Sequence, residues 1–153
     1  MDDDAQNVTL YLPNDIFYDF WTFQPVRGNG SSITLDQVDW SDIPVHIRGG
    51  TILPMRSAGA NTTTELRKNN FTLVVAPGLD GTAAGSLHLD DGISLDISGA
   101  SSDINFSWNG TTLRVDGTFG FKTDVVVDSV VVLGTEAQKA RDGPWALDKP
   151  FVV

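Results

Sequence analysis

The sequence has no cysteine at any of its 153 positions, which excludes a disulfide framework and a thiolate metal site. Basic residues are also scarce, because ten Lys and Arg stand against twenty Asp and Glu, for a formal net charge of −10. Proteins bind phosphate groups through a basic surface, so we expect neither nucleic acid nor an anionic membrane as a partner. The sequence shows no secretory signal and no apolar run of membrane-spanning length. If the protein is secreted, we therefore expect Met1 to be an artificial start or the product of an internal cut.

Helix-forming patterns are nearly missing as well. Glu65 and Glu136 are the only glutamates beside eighteen aspartates, and aspartate favours turns and caps over helix interiors. One short helical turn is expected over residues 135–141. Fifteen glycines, seven prolines and a hydrophobic content of 41% predict an all-β domain with many loops and a real core.

Strand patterns follow one another along most of the chain. Ile16 to Trp21 is largely apolar on both faces and predicts a central strand. Phe71 to Ala76 predicts a clear strand that ends at Pro77-Gly78. Asn109-Gly110 lies between alternating runs and predicts a hairpin. Val125 to Leu133 predicts one strand with a bulge or two strands. A Gly/Ser-rich junction near residue 98 divides the chain into a β-sandwich, residues 1–98, and a smaller second β-unit, residues 99–153.

Nucleophilic catalysis has little support in the sequence. The two histidines, His46 and His88, fall within strand patterns, without the sharp turn that presents a reactive serine. No ligand spacing typical of a metal site is present. A calcium site built from Asp90, Asp91 and either Asp80 or Asp96 is the less favoured alternative to a solvated turn.

Glycoside hydrolysis requires two carboxylates at a defined separation, one of them with a raised pKa. Asp39, Asp42, Asp90 and Asp91 have the right residue type, but nothing in their context predicts that difference. We therefore expect no catalytic residue, no metal-binding residue and no cofactor.

Four tryptophans are candidates for stacking on sugar rings. Trp21 and Trp108 fall inside strand patterns and are expected in the core. Trp40 and Trp145 lie in loop-like contexts, and we predict that these two contact a glycan or a protein receptor.

Six of the eight asparagines begin an Asn-x-Ser/Thr sequon, which favours a secreted or luminal glycoprotein over the alternative that a high Ser and Thr content produced them by chance. The six candidate glycosylation sites are Asn7, Asn29, Asn61, Asn70, Asn105 and Asn109.

The stretch from Ile43 to Pro54 is the most distinctive in the chain. Two short apolar segments flank Gly49-Gly50, a pair that permits a tight bend, and Arg48 beside the bend needs a partner if it turns inward. This stretch resembles the IPVHIRGGSILP core that follows the catalytic barrel of glycoside hydrolase family 31, the α-glucosidase family. Tyr11-Leu12-Pro13 with Phe17 to Trp21, and Gly85 to Gly92, are similar to its flanking motifs in order and spacing.

The resemblance covers residues 8 to 96 and is most like secreted fungal members. It implies an antiparallel proximal β-sandwich followed by a smaller, truncated distal one. It also implies that the catalytic aspartates lie on a (β/α)8 barrel outside this chain, since no position here matches their motifs. Leu66 and His88 depart from the pattern, where a more polar and an aromatic residue are expected.

Two functional hypotheses follow from the resemblance. The first is a non-catalytic accessory β-region of a secreted α-glucosidase, with the catalytic barrel as its partner. The second is a free-standing secreted protein, derived from that region, that binds a glycan or a receptor.

Overall fold

A computed structural model describes residues 6–39, 41–95, 100–134 and 139–153. Within these ranges the chain is built from thirteen strands and one short helix, which confirms the all-β prediction. The strands are β1 (Asn7–Leu12), β2 (Ile16–Asp19), β3 (Pro25–Arg27), β4 (Ser31–Asp36), β5 (His46–Arg48), β6 (Thr51–Arg56), β7 (Phe71–Ala76), β8 (Ala83–Leu89), β9 (Ser102–Trp108), β10 (Leu113–Phe119), β11 (Val126–Val132), β12 (Lys139–Ala146) and β13 (Phe151–Val152). The helix α1 spans Thr63–Leu66. No helix in the described part of the chain is long and apolar enough to span a membrane.

The strands form three sheets. Strands β1 and β4 pair as a two-stranded ribbon, and β3, β2 and β5 form a small sheet with β2 in the middle. The remaining eight strands form the main sheet in the order β12-β11-β7-β6-β8-β9-β10-β13. The small sheets therefore use the chain up to Arg48, and the main sheet uses the chain from Thr51 onward.

The main sheet is mixed, which corrects the prediction of a purely antiparallel sandwich. Strand β7 pairs with β11 in parallel, and β6 pairs with β8 in parallel through Thr51 and Ala84. Strand β7 fits this arrangement, because its last four residues, Leu73 to Ala76, are all apolar and buried, as expected for a central strand covered on both faces.

Two hydrophobic clusters lie on the two faces of the main sheet. The larger cluster includes Ile52, Leu73 and Phe106, all 2% exposed or less. The smaller cluster packs Tyr18 and Ile47 of the small sheet against Val74, Ala76 and Leu133 of the main sheet.

The predicted boundary between residues 98 and 99 lies outside the described residues. Strands on either side of it are hydrogen-bonded in one sheet, because β8 pairs with β9 from Ala83↔Trp108 to Leu89↔Ser102. The division into two units, residues 1–98 and 99–153, stays a prediction.

Several local predictions are confirmed, and one is wrong. The Asn109-Gly110 hairpin joins β9 to β10, and β11 is one strand with a register shift between Val127 and Ser129. The helical turn expected over residues 135–141 is wrong for 139–141, which belong to β12, and 135–138 lie outside the described residues. The observed helix instead begins after Thr62, whose hydroxyl caps it by accepting the Glu65 N–H.

Candidate functional site

The Gly49-Gly50 corner connects the small sheet to the main sheet. Gly49 N–H donates to the Ile16 carbonyl at 2.8 Å, and Gly50 N–H donates to the Ala76 carbonyl at 2.8 Å. The backbone of Gly50 has φ +84°, a conformation that favours glycine. The bend predicted from the sequence is confirmed, and its role is to hold two sheets in register.

Arg48 turns outward beside this corner and is paired. Its side chain is 71% exposed, and its Nε and Nη2 both lie 2.9 Å from Asp15 Oδ2. The Ile16 backbone N–H and then Arg48 lower the pKa of the Asp15 carboxyl by hydrogen bonding to its charged form. This exposed ion pair joins β5 to the residue before β2.

An exposed apolar surface follows the end of β2. Trp21 is 68% exposed, its indole N–H donates to the Ile43 carbonyl at 3.2 Å, and its ring meets Phe20 edge-on at a centroid distance of 5.1 Å. The Asp19 carboxylate accepts from the backbone N–H of Trp21 (3.0 Å) and of Thr22 (2.7 Å). We call Trp21 and the adjacent, 71% exposed Ile43 the Trp21 surface.

A cleft of about 390 Å³ adjoins the Trp21 surface. Leu35, Val38 and Pro44 give it apolar walls, while Asp36 and Asp42 lie at its edge, and no Lys or Arg lines it within the described part of the chain. A fixed, exposed tryptophan beside an apolar cleft is typical of an anchor in a protein interface. The acidic edge favours a partner surface with basic residues around an apolar centre.

The other tryptophans occupy different environments. Trp108 is 8% exposed and lies in the larger core cluster, as predicted, whereas the prediction that Trp21 lies in the core is wrong. Trp145 lies on β12, partly buried, with its ring stacked on Phe151 at 6.1 Å between centroids and 7° between planes. Trp40 lies outside the described residues. The glycan or receptor contacts assigned to Trp40 and Trp145 stay predictions.

His88 of β8 lies between two carboxylates, that of Asp103 on the adjacent strand β9 and that of Asp90 just after the end of β8. Its Nδ1 is 2.7 Å from Asp103 Oδ1, and its Nε2 is 3.7 Å from Asp90 Oδ2. The hydrogen bond with Asp103 raises the pKa of the imidazole by stabilising its charged form. Asp90 also pairs with Arg67 at 3.0 Å, so acidic and basic side chains alternate along this cluster, from Asp103 through His88 and Asp90 to Arg67. This cluster has no nucleophilic hydroxyl or thiol and is an exposed electrostatic clamp between α1, β8 and β9.

The carboxylates considered for catalysis belong to turns. The Asp91 carboxylate accepts from the Ser94 hydroxyl and from the backbone N–H of Ser94 and Ile93, which lowers its pKa to about 2. Asp42 accepts from the backbone N–H of Asp39 at 3.0 Å. A general acid needs a raised pKa, so Asp91 has the opposite environment to the one required.

The calcium alternative involved Asp80, Asp90, Asp91 and Asp96. Asp80 accepts from the Thr82 backbone N–H and hydroxyl at 2.9 Å, and Asp90 pairs with Arg67. Asp96 lies outside the described residues. In the ranges that the structure describes, no group of three or more metal-ligating side chains is assembled.

The Asp91 turn predicts an acid-dependent loss of stability. Because the folded pKa is below the usual value of 3.8, the stabilisation is complete above about pH 4 and is lost as the pH falls through about 2. We expect Asp91→Asn to lower the thermal midpoint at pH 7 and to lower it much less at pH 2, where about half of the folded carboxyl groups are protonated. Scanning calorimetry at both pH values measures this, with the exposed Asp148→Asn as the control. An equal loss at both pH values would contradict the assignment.

Two further clefts lie on the main sheet. One, of about 490 Å³, is lined by Tyr18, Pro77, Trp108, Leu133 and Arg141 among others, and the Tyr18 hydroxyl donates to the Pro77 carbonyl at 2.9 Å. The other, of about 350 Å³, combines Arg56, Arg67 and Lys68 with Asp90, Asp91 and Asp124. In the second cleft, Arg67 pairs with Asp90 at 3.0 Å, and Arg56 Nη1 donates to the carbonyls of Arg67 and Asn69.

Comparison with known families gives one match. Residues 1–53, which contain both small sheets and the Gly49-Gly50 corner, match the family described as "Glycosyl hydrolase family 31 C-terminal domain". This segment includes the Trp21 surface.

Curated fungal proteins are similar over nearly the whole chain. The probable alpha/beta-glucosidase agdC of Neosartorya fischeri is 49% identical over 145 residues, which is 95% of this chain and 16% of that protein. Glucoamylase 1 of Schwanniomyces occidentalis is 40% identical over 121 residues, which is 78% of this chain and 12% of that protein. The chain therefore spans about a sixth of the length of the first of these relatives.

Solved structures share the fold. The crystal structure of a glucosidase II alpha subunit superposes with a TM-score of 0.78 at 23% identity, over 99% of this chain and 20% of that one. The GH31 dextranase of Flavobacterium johnsoniae superposes with a TM-score of 0.64 at 18% identity, over 86% of this chain and 17% of that one. In both cases the similar part is a small fraction of a larger chain.

Proposed function

Because the chain has the sequence and the fold of the C-terminal region of family 31 α-glucosidases, we propose that it is the non-catalytic accessory β-region of a secreted α-glucosidase. The observation that carries the proposal is the coverage: the similarity extends over 95% of this chain and only 16% of the N. fischeri relative. Hydrolysis of α-glucosidic bonds would then belong to the part of such an enzyme that this chain does not contain. The role left for this region is structural support.

The chemistry of the described carboxylates supports a non-catalytic role. The carboxylates of Asp80 and Asp91 accept hydrogen bonds within turns, and these hydrogen bonds lower the pKa values of the two carboxyl groups. Glycoside hydrolysis instead needs a carboxyl group that stays protonated near the working pH, opposite an ionised one. The direct test is hydrolysis of maltose or a nitrophenyl α-glucoside by the purified chain. We expect none, and activity that a point substitution within the chain abolishes would contradict the proposal.

The partner in this proposal is the catalytic barrel, and the Trp21 surface is the face best suited to contact it. Trp21 is fixed by the Ile43 carbonyl and by Phe20 before any partner arrives, so binding costs little side-chain entropy. The surface also lies within residues 1–53, the segment that matches the family.

A chimera tests the accessory role. We expect the N. fischeri relative to keep most of its α-glucosidase activity when its own C-terminal segment is replaced by this chain, and to lose activity and solubility when the segment is deleted. Trp21→Ala in the chimera should lower the thermal midpoint of the whole enzyme, because truncation of an interface anchor typically costs about 2 kcal/mol. The matched control is Tyr11→Ala, another exposed aromatic, at 62% exposure, outside the cleft. An inactive, well-folded chimera would contradict the proposal.

Secretion and glycosylation are part of the proposal. Their support is the set of six sequons, of which all but Asn70 have an exposed asparagine. Detection of the natural protein in the culture medium, with a mass that falls after endoglycosidase treatment, would support it.

The alternative is a free-standing secreted protein that binds a glycan or a receptor. The observation that favours it is the same Trp21 surface, since an exposed tryptophan beside an apolar cleft also suits a sugar ring. Trp40 and Trp145 are the further contacts of this alternative. A glycan array probed with the full chain and with Trp21→Ala separates the two functions, since only the alternative predicts a signal that the substitution removes.

A further inference from the structure

The sequons are not equivalent in the folded chain. The Asn29 and Asn109 sequons lie in turns with a glycine in the middle, at Gly30 with φ +76° and at Gly110 with φ +96°. The Asn70 sequon instead begins strand β7, at a point where β6, β7 and β11 meet. The same three-residue signal therefore occurs in two very different environments.

In the two turn sequons, the hydroxyl and the amide face each other. Ser31 Oγ donates to Asn29 Oδ1 at 2.5 Å, and Thr111 Oγ1 donates to Asn109 Oδ1 at 3.1 Å. Both asparagines are exposed, and neither Nδ2 donates a hydrogen bond within the described part of the chain. The amide nitrogen that would carry a sugar is thus not used by the fold, and the turn holds each asparagine beside the hydroxyl of its own sequon.

In the third sequon, both ends of the amide are used by the fold. Asn70 Nδ2 donates to Asp128 Oδ1 at 2.9 Å, and Asn70 Oδ1 accepts from the Val126 N–H at 3.1 Å. The hydroxyl of Thr72, the third residue of the sequon, lies 3.1 Å from Ser129 Oγ, within hydrogen-bond distance. Asn70 is partly buried, and it joins the start of β7 to the bulge of β11.

The residues around Asn70 are hydrogen-bonded to it or packed beside it. Ser57 N–H donates to the Asn70 carbonyl at 2.9 Å, and Ser57 Oγ is 3.2 Å from Asp128 Oδ2. Phe71, the middle residue of the sequon, is 3% exposed and lies under the Arg56 guanidinium at 3.9 Å. A glycan on Nδ2 would have to displace the Asp128 hydrogen bond between packed strands.

We propose that Asn29 and Asn109 are glycan acceptors of the folded protein and that Asn70 is a structural amide that the folded protein carries unmodified. In the transfer, a lipid-linked diphospho-oligosaccharide supplies the sugar. The bond between Nδ2 and sugar C1 forms, the bond between C1 and the diphosphate oxygen breaks, and one amide proton leaves. This inference rests on the proposed secretion for its occurrence in the natural host, although the acceptor geometry itself does not depend on it.

The test uses the full chain with a host secretion leader, produced in yeast. The secreted protein is treated with endoglycosidase H, which leaves one N-acetylglucosamine at each occupied site, and occupancy is read by peptide mass spectrometry. We expect occupied Asn29 and Asn109 and unmodified Asn70. Ser31→Ala, which keeps Asn29 but removes the hydroxyl, should abolish occupancy at Asn29 and leave Asn109 unchanged. A glycan on Asn70 in secreted, folded protein would overturn the inference, as would the absence of glycans from both turn sites.

A second measurement tests the structural role of Asn70 without glycosylation. In unglycosylated protein from bacteria, Asn70→Gln should lower the thermal midpoint by about 3–6 °C, because it breaks two hydrogen bonds in a chain of this size. Asn61→Gln, at an exposed sequon in a loop, is the matched control and should change nothing. An unchanged midpoint for Asn70→Gln would overturn the structural assignment. If the natural protein is found inside the cell, the proposed secretion fails while these results keep their meaning.

Discussion

A fragment of residues 1–98 is expected to show no cooperative unfolding transition, whereas the full chain unfolds in one. The reason is that strand β8 (Ala83–Leu89) pairs along its length with β9 (Ser102–Trp108), and β7 pairs in parallel with β11. Removing residues 99–153 leaves two strands of the main sheet with unpaired edges. Unpaired, apolar strand edges favour aggregation over folding.

The core gives the same expectation. Its larger cluster takes Ile52, Leu73 and Val75 from one side of residue 98, and Phe106 and Leu113 from the other. All five are 2% exposed or less in the full chain, and the fragment would expose the first three to water. Burying one such aliphatic side chain is worth about 1.5–3 kcal/mol, and an entire domain is stable by only about 5–15 kcal/mol.

Urea titration followed by tryptophan fluorescence measures this prediction, since Trp21 lies in the fragment and Trp108 lies outside it. The matched control is a fragment of residues 51–153, which keeps all eight strands of the main sheet. We expect that control to retain a transition. If residues 1–98 unfold cooperatively on their own, the division at residue 98 is right and the shared sheet is not needed for folding.

The sequence predicted the elements better than it predicted their pairing. The hairpin at Asn109-Gly110 was predicted correctly because that dipeptide adopts the tight turn from local preference alone. The parallel pairing of β7 with β11 depends on residues 71 and 127 meeting across more than fifty positions, and no local pattern encodes that contact. The run Leu73 to Ala76 was the available signal, since consecutive apolar residues indicate a strand covered on both faces.

Trp21 shows a second reason why the sequence pattern did not predict the structure correctly. Alternation placed Trp21 in a strand, but β2 ends at Asp19, whose carboxylate accepts from the backbone N–H of Trp21 and Thr22 and turns the chain outward. An aspartate followed three residues later by threonine is a turn signal that competes with alternation. The structural role of Asn70 had no such signal, because its partner Asp128 is 58 residues away.

Gly49→Ala is expected to cost the full chain about 3 kcal/mol of unfolding free energy, at the upper end of what overpacking causes. A methyl group on Gly49 would overlap the Ile16 side chain and would lie 2.9 Å from both the Ile16 and Pro77 carbonyl oxygens. Two of these contacts are backbone atoms held by the sheets on either side of the corner, so they cannot move aside independently. For a chain of about 150 residues, that loss lowers the thermal midpoint by roughly 6–12 °C.

Substitutions at two other glycines separate the effect of steric overlap from that of backbone strain. Gly50→Ala meets no atom within 4 Å but must adopt φ +84°, so it should cost about 1 kcal/mol from backbone strain alone. Gly59→Ala meets neither an atom nor a positive φ and should be neutral. Calorimetry on the three variants should therefore rank them Gly49, Gly50, Gly59 in decreasing loss. If Gly50→Ala costs more than Gly49→Ala, the corner is held by its backbone conformation and not by the close approach of the two sheets.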